Sequence, residues 1–302
     1  MNTVTGHYFD TVNMITADCS EALLQGCMKL CARYESLLSK TRPGSDIWNI
    51  NHAGGWPVPV DDETRFLLRT SLEMYEASSG AFNIAVGGLM DVWSFRQAAP
   101  RVPEESRIRA ALEACDLRRM ELNGDFVRVP EGMALDLGGI AKGYIADRVG
   151  ERLKEAGVES ALLNFGGNIV AIGPKPDGSP WMIGLQTPNG TWGQDYWAVT
   201  ELHRGTIVTS GIYERGFDLE GKRYHHILDP RTGWPAQSGL ISVTIRGGDS
   251  MLADALATAV LVMGSEPGIQ LAAAHGFEAL TIDEQRNCVR SSGFQIFPPE
   301  GQ

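Results

Sequence analysis

Cysteine is scarce in this sequence, and the few that occur are not arranged in pairs. The five cysteines are an odd number without any CxxC spacing, so neither a disulfide framework nor a zinc ribbon is predicted. Cys27 and Cys31 lie four residues apart among leucines and a methionine. We expect them to be small buried thiols on the apolar face of a helix. This usage favours a reducing compartment.

Long apolar runs are also missing. No run approaches the length that spans a bilayer, and the start "MNTVTGHYFDTV" has neither a basic nor an apolar region of a secretory leader. The sequence therefore predicts a protein without a membrane segment and a cytoplasmic location. A mature chain that had lost a leader would read the same way.

Clusters of basic residues are absent as well. The chain has 26 Lys and Arg against 37 Asp and Glu, a net charge of −11. This balance argues against nucleic acid and anionic membranes as partners. A phosphorylated small molecule remains possible if the local site overcomes the global charge, and a divalent cation is one way to do so.

The distribution of glycine and proline bears on domain organisation. The 302 residues are 43% hydrophobic, enough to bury a large core. Glycine and proline are spread along the chain, with no linker, repeat or low-complexity tract. We therefore predict a single compact domain over residues 1–302.

Hairpins and helices follow each other without regular alternation. "RRMELNGDFVRV" predicts a hairpin that turns at Asn123 and Gly124, and "RGFDLEGKRYHHIL" predicts another around Glu220 and Gly221. A strand is predicted in "YFDTVNMITA", and "SMLADALATAVLVMG" predicts an apolar helix. Further helices are predicted from a capping box at Asp18 to about residue 39, and from about 61 to 78, with a polar loop between them. The fold class is α+β, with mixed or antiparallel strands and flanking helices.

The segment "LDLGGIAKGYIADRV" places Asp136 before two glycines at the start of a predicted helix. Glycine lets a ligand approach the backbone closely. An acid at a partly positive helix N-terminus has three explanations: it binds a phosphate through a metal ion, it hydrogen-bonds a ligand, or it caps the helix.

Asp254 and Thr258 are four residues apart in "ADALATA", so a helix places their oxygens on one face. An unpaired Asp254 among apolar residues costs several kcal/mol in free energy. A magnesium ion could neutralise it, since carboxylate and hydroxyl oxygens are hard donors. The alternative is that Asp254 caps the helix or accepts hydrogen bonds in the core.

Two further segments hold polar groups beside turns. Gly166 and Gly167 interrupt a strand pattern, which indicates either a bulge or a ligand approaching the backbone. His225 and His226 are adjacent on a predicted strand, so their rings are expected on opposite faces. The following "DPRTGWP" predicts an Asx-type turn at Asp229.

Several of these motifs together resemble the ApbE family, the FAD:protein FMN transferases. The resemblance is carried by "DLGGIAKGYIAD", "NFGGNI", "TSGIYER", "YHHILDPRTGWP" and "ADALATA" in that order, with "GAFNIAVGGLMDVWSF" upstream. It implies an FAD-binding, Mg²⁺-dependent α+β enzyme that transfers the FMN part of FAD to a Ser or Thr hydroxyl and releases AMP. The partner is then an acceptor flavoprotein that presents this hydroxyl in a flavinylation motif.

The resemblance also implies roles for individual residues. His226 is the implied catalytic histidine, and Asp254 could share the role of base. Mg²⁺ is expected at the Gly139 carbonyl, Asp254 and Thr258. Contacts with FAD are expected from Ala81, Phe82, Asn83, Asp136, Lys142, Tyr213 and Leu228.

The chain departs from the family pattern at two places. Phe9, Asp10 and Thr11 stand where a Met-Gly-Thr is common, so no flavin contact is expected there. Asn83 and Asn168 replace aspartates, which removes two possible ligands of a second metal ion. Two other functions remain open: an Mg²⁺-dependent FAD pyrophosphatase, and a non-catalytic FAD-binding protein.

Overall fold

The computed structural model describes residues 1–95, 100–188, 190–191 and 194–299. The α-helices in this part of the chain are α1 (Glu21–Leu38), α2 (Asp46–His52), α3 (Asp62–Ala77), α4 (Gly87–Trp93), α5 (Glu105–Glu113), α6 (Ala141–Glu155), α7 (Ser250–Met263) and α8 (Ser265–Ala274). The strands are β1 (Asn2–Tyr8), β2 (Thr11–Ala17), β3 (Val58–Pro59), β4 (Glu121–Asn123), β5 (Phe126–Arg128), β6 (Ala161–Phe165), β7 (Asn168–Ile172), β8 (Trp181–Gln186), β9 (Tyr196–Leu202), β10 (Gly205–Gly211), β11 (Gly216–Leu219), β12 (Lys222–His225), β13 (Leu240–Gly247), β14 (Glu278–Asp283) and β15 (Cys288–Arg290).

An eight-stranded antiparallel sheet organises the molecule, in the order β1-β2-β6-β7-β10-β13-β14-β15. Helices α6 and α7 pack against its central strands, and α1 packs against β1. The main apolar core is a cluster of buried side chains, of which Val4 is the first in the sequence and Ala279 the last. Three small antiparallel sheets, β3-β5-β4, β8-β9 and β11-β12, complete the structure. The predicted α+β class is confirmed.

Helix starts depend on which side chain accepts the first free amide protons. Ser20 accepts from the amide of Leu23 at 3.4 Å, so α1 is capped there and not at Asp18. Helix α3 begins near residue 61 as predicted, and Asp61 is its cap. Helix α2 lies in the segment predicted as a polar loop, and Ser45 is its cap, a signal that the sequence contained.

The turns agree with the predictions in part. Glu220 and Gly221 form the β11–β12 turn with φ of 51° and 77°, as expected. The β4–β5 turn lies one residue later than predicted, because Asn123 pairs with Phe126. The predicted strand at 8–17 is interrupted by a turn at residues 9 and 10. Of the two alternatives for residues 166–167, the bulge is wrong, since these glycines form the two-residue turn between β6 and β7. Both glycines line the large cavity, and the approach of a ligand to them stays a prediction.

The cysteines in the structure are all free. Cys27 and Cys31 are buried on α1 as predicted, and burial raises the pKa of the Cys31 thiol to about 12. Within the described ranges, no helix has the length and apolarity needed to cross a membrane. The cellular compartment stays a prediction.

Helices α6 and α7 touch backbone to backbone at Gly143. A Cβ built at Gly143 would overlap the carbonyl oxygen of Ser250. One turn further along α6, the Asp147 carboxylate accepts the amide protons of Ser250 and Met251 at 3.1 and 2.8 Å. These contacts therefore fix the position of the N-terminus of α7 along the axis of α6.

His225 ends β12 with its ring in the core, 4% exposed. Its Nε2 lies 3.1 Å from the carbonyl oxygen of Ala236, which can only accept, so Nε2 carries the proton. Nδ1 has no hydrogen-bond partner among the residues that the structure describes. Burial lowers the pKa of His225 to about 4, despite the bond to Ala236, because a charged ring in the core lacks the hydration that stabilises it in water.

We predict that Gly143→Ala destabilises the protein by about 1–3 kcal/mol, because the new methyl group must push α7 away from α6. Gly150→Ala is the matched control on the same helix, where a Cβ would lie 3.8 Å from Val170 Cγ1, an ordinary contact. That change should be neutral or stabilise by about 0.5–1 kcal/mol through helix propensity. Urea unfolding of both variants tests the prediction, and equal stabilities would contradict it.

A second prediction concerns the pH dependence of stability. The unfolded chain protonates His225 near its ordinary pKa, whereas the folded chain resists protonation until about pH 4. Stability from this group is thus present above about pH 6.5 and is lost as pH falls toward 4. For His225 alone the loss between pH 7 and 5 is about 2 kcal/mol.

His225→Gln should remove this part of the pH dependence, as measured by denaturant unfolding at pH 7 and 5. The control is His203→Gln, which removes an exposed histidine and should keep the wild-type dependence. A His225→Gln protein with the full wild-type pH dependence would disprove the assignment.

Candidate active site

One large cavity lies beside the central strands. Its volume is about 1010 Å³, at the upper end of the ~300–1,000 Å³ typical of small-molecule sites. It is bounded by the end of α1, residues 81–95, the loop before α6, residues 209–215, residues 226–230 and the middle of α7. The size suits an extended ligand.

The structure brings together every residue to which the sequence assigned a role. The eleven that line the cavity are Ala81, Phe82, Asn83, Asp136, Gly139, Lys142, Tyr213, His226, Leu228, Asp254 and Thr258. They come from distant parts of the chain, and their roles stay predictions. Asn168, noted for its departure from the family pattern, is not among the cavity residues.

Lys142 and Asp254 form an ion pair across the α6–α7 contact. Nζ of Lys142 lies 3.2 and 3.3 Å from the two carboxylate oxygens, and it donates to the carbonyl of Gly138 at 2.9 Å. The amide of Gly143 also donates to Asp254 Oδ2, at 3.1 Å. The Asp254 side chain is only 2% exposed. Its charge is thus compensated within the protein, as burial requires.

The suggestion that Asp254 caps α7 is wrong. The cap is Asp249, whose carboxylate accepts the amide proton of Leu252 at 2.7 Å. Asp254 lies in the second turn, with its carboxylate directed to α6. The other possibility was that Asp254 accepts hydrogen bonds in the core, and the structure shows such a bond from the Gly143 amide.

The oxygens near Asp254 fit a magnesium ion. Thr258 lies one turn further along α7, and its Oγ1 donates to the Asp254 carbonyl at 3.4 Å, a weak bond. A Cβ built at Gly139 would lie 3.1 Å from Thr258 Oγ1, so the glycine backbone closely approaches the hydroxyl. Carboxylate, hydroxyl and carbonyl oxygens are the donors that Mg²⁺ prefers.

Among the described residues, no group of three or more His, Cys, Asp and Glu side chains could hold a metal ion. The fit therefore depends on one carboxylate and two neutral oxygens. That set would leave positions for phosphate and water, which Mg²⁺ commonly retains. The Asp254 carboxylate already binds one cation, the Lys142 ammonium.

Asp136 does not cap α6, although capping was one explanation of its position. The residue before α6 is Ile140, which makes no side-chain capping bond. Instead, Asp136 Oδ1 accepts the amide proton of Gly138 at 2.9 Å, and Oδ2 pairs with Lys40 at 3.2 Å. These two contacts hold the carboxylate at the cavity wall, and its contact with a ligand stays a prediction.

His226 lies just beyond the end of β12, half-buried at the cavity. Its Nδ1 is 3.1 Å from the carbonyl oxygen of Arg215 and must donate to it, so Nε2 is the unprotonated nitrogen. Burial lowers its pKa to about 4, only partly opposed by that hydrogen bond. A neutral ring with a free Nε2 can accept a proton.

The prediction that His225 and His226 lie on one strand with their rings on opposite faces was only partly right. The strand ends at His225, so strand alternation does not relate His226 to Leu228. His226 and Leu228 nevertheless both line the cavity, while the His225 ring lies in the core. Asp229 makes the predicted Asx turn, accepting the amide proton of Arg231 at 2.9 Å.

The residues expected to contact the flavin differ in their burial and in the hydrogen bonds that they already make. Ala81 and Phe82 are buried, 2% exposed each. Asn83 donates to the Cys115 carbonyl at 2.7 Å and accepts from the Ala85 amide at 2.8 Å. Both polar atoms of Asn83 therefore already make one hydrogen bond each within the protein. Burial raises the pKa of the Tyr213 hydroxyl, which stays protonated.

Some cavity residues were missed by sequence reasoning. Lys40 and Asp91 gave no signal, since isolated charges in polar segments are common. Glu214 lies within a motif that was noted, but was not singled out. Burial raises its pKa and the nearby Lys142 opposes this shift. Residues 9–11, where no flavin contact was expected, also line the cavity.

The comparisons with known proteins identify the family of this chain. The sequence profile of the ApbE family matches residues 7–281. An FAD:protein FMN transferase of Treponema pallidum (strain Nichols) is 38% identical over 90% of this chain and 80% of its own. A second, from Klebsiella pneumoniae (strain 342), is 37% identical over 90% of this chain and 85% of its own.

Solved structures give the same result. The ApbE protein of Thermotoga maritima superposes with a TM-score of 0.88 at 33% identity, covering 96% of this chain and 97% of its own. The apo flavinyl transferase ApbE of Pseudomonas stutzeri superposes at 0.83 and 30% identity, covering 96% and 93%. With a profile match over most of its length, this chain belongs to the ApbE family.

Proposed function

We propose that this protein transfers the FMN part of FAD to a Ser or Thr hydroxyl of an acceptor flavoprotein, forming a phosphoester and releasing AMP. Residues 1–302 act as one catalytic domain. The observation that carries the proposal is the convergence of Asp136, Lys142, His226 and Asp254 on one cavity large enough for a dinucleotide. The names of the relatives support the same reaction.

Magnesium would be held by Asp254, Thr258 and the carbonyl of Gly139. When bound, it supplies positive charge that screens the phosphate oxygens during attack on the pyrophosphate. Lys142 adds a second positive charge at the same place, because it already lies against Asp254. The donor set and the close approach of Gly139 to Thr258 support this assignment.

His226 accepts the proton of the acceptor hydroxyl at Nε2. Arg215 holds the ring through Nδ1, so the basic nitrogen is the one left without that bond. Asp254 was the other candidate for this role. Its contacts with Lys142 and Gly143 favour a binding role instead, since both stabilise the charged carboxylate.

The direct test is to incubate the protein with FAD, Mg²⁺ and candidate acceptor proteins, and to look for covalent FMN by mass spectrometry. We expect one acceptor to gain the mass of FMN less one water molecule on Ser or Thr, while AMP is released in equal amount. Production of FMN and AMP without modification of any acceptor would identify a pyrophosphatase, in which water replaces the hydroxyl. Binding of FAD without turnover would identify a carrier.

We predict that His226→Ala lowers the transfer rate by roughly 10²–10⁴, because it removes the base. FAD affinity, measured by calorimetry, should remain within a few fold of wild type. His225→Gln, already described for its core position, is the comparison variant and should retain transfer at pH 7.5. An active His226→Ala protein beside a folded but inactive His225→Gln protein would reverse the assignment.

Asp254→Ala should abolish turnover and remove the response to magnesium, because the metal loses its only charged ligand. Thr258→Ala should raise the Mg²⁺ concentration needed for half-activity by a smaller factor, since a neutral donor is lost. Calorimetric titration of Mg²⁺ into the protein–FAD mixture gives the binding constants directly. A normal magnesium response in Asp254→Ala would refute the site.

A further inference from the structure

Lys40 joins three segments of the cavity wall, yet the proposed reaction makes no use of it. Its side chain is 20% exposed and lies just after the end of α1. Nζ is 3.2 Å from Asp136 Oδ2 and 2.9 Å from Asp91 Oδ1, and it donates to the carbonyl of Gly87 at 3.4 Å. An ammonium has three N–H donors. All three are matched by acceptors on α4 and the loop before α6.

This arrangement fixes the orientation of Asp136. One carboxylate oxygen accepts the amide proton of Gly138, and the other faces Lys40. Each oxygen retains a lone pair that can accept a hydrogen bond from a ligand. Lys40 therefore presents the carboxylate in one defined orientation before any ligand arrives, which reduces the cost of ordering it on binding.

Lys40 also decides the charge of this part of the wall. Burial alone would lower its pKa, but Asp136 and Asp91 outweigh that effect and raise it, so the ammonium stays charged. Without it, two carboxylates would face a cavity that has to accept a pyrophosphate. In a chain of net charge −11, no surplus of positive charge compensates for such a loss.

We propose that Lys40 is a positioning residue for flavin dinucleotide binding: it orients Asp136 for its contact with FAD and offsets the negative charge of Asp136 and Asp91. The proposal rests on the proposed function, in which Asp136 contacts FAD. Because Lys40 acts through Asp136 and not on the reacting phosphorus, it governs the binding of FAD and leaves the chemical step unchanged.

The test compares FAD affinity with turnover in Lys40→Met. By calorimetry, FAD should bind about tenfold more weakly or worse, and the KM for FAD should rise in parallel, while kcat at saturating FAD stays within about threefold. Lys40→Arg keeps the charge and should recover most of the affinity. Lys29→Met is the matched control, since it removes the same charge from an exposed position on α1 and should bind FAD normally.

A double-mutant cycle tests whether the effect passes through Asp136. In an Asp136→Asn background, Lys40→Met should change FAD affinity by less than about threefold, because the carboxylate that it orients is gone. An undiminished loss in that background would show that the effect of Lys40 does not pass through Asp136 and would overturn the proposal. Wild-type affinity in Lys40→Met, or a loss of kcat at unchanged KM, would also overturn it.

Folding has to be checked separately by thermal unfolding. If Lys40→Met does not fold, Lys40→Gln replaces it, with the same expectation of weakened FAD binding. Failure of both to fold would overturn the proposal, because Lys40 would then be a residue of fold stability. Absence of FAD binding or transfer in the wild-type protein is a different result, and contradicts the proposed function.

Discussion

The buried ion pair between Lys142 and Asp254 is the interaction on which the site depends. Removing one partner from such a pair typically costs about 3–5 kcal/mol, because the other charge stays buried without compensation. The pair can form only because α6 and α7 are in backbone contact at Gly143, whose amide donates to the same carboxylate. The packing of α6 against α7 therefore also determines how the charge of Asp254 is compensated.

That helix contact also determines what else faces the cavity. Helix α7 packs on β10 and β13, so the chain that leaves β10 passes over the site and brings Tyr213, Glu214 and Arg215 to it. The Arg215 carbonyl then holds the ring of His226. The position of the histidine thus follows from the sheet and from α7, although it lies on a separate hairpin.

The charge distribution reconciles an acidic protein with an anionic ligand. The chain carries a net charge of −11, but Lys40, Lys142 and Arg215 all line the large cavity. Two of them are paired with cavity carboxylates, and acidic residues outnumber basic ones in the lining, so the wall has no excess of positive charge. A bound cation would then supply the excess positive charge that a pyrophosphate requires.

Local patterns in the sequence were sufficient wherever neighbouring residues decide the structure. The Glu220–Gly221 turn, the start of α3 near residue 61 and helix α7 were all predicted, because turn conformation, helix starts and apolar periodicity depend on residues a few positions apart. Where competing caps lay close together, as at Asp18 and Ser20, the choice was wrong. The order of the motifs was enough to indicate the family and eleven of the residues that line the cavity.

The partner of each charged side chain was decided only by the tertiary structure. Lys142 and Asp254 are 112 residues apart in sequence, and no periodicity relates them. The same holds for Lys40 and Asp136, whose pairing shows that Asp136 does not cap α6. The sequence by itself was enough to identify the polar residues that packing does not require, which are the candidates for the site. Their partners depend on how the helices and the sheet pack, because an ion pair forms only between groups that folding brings within about 4 Å.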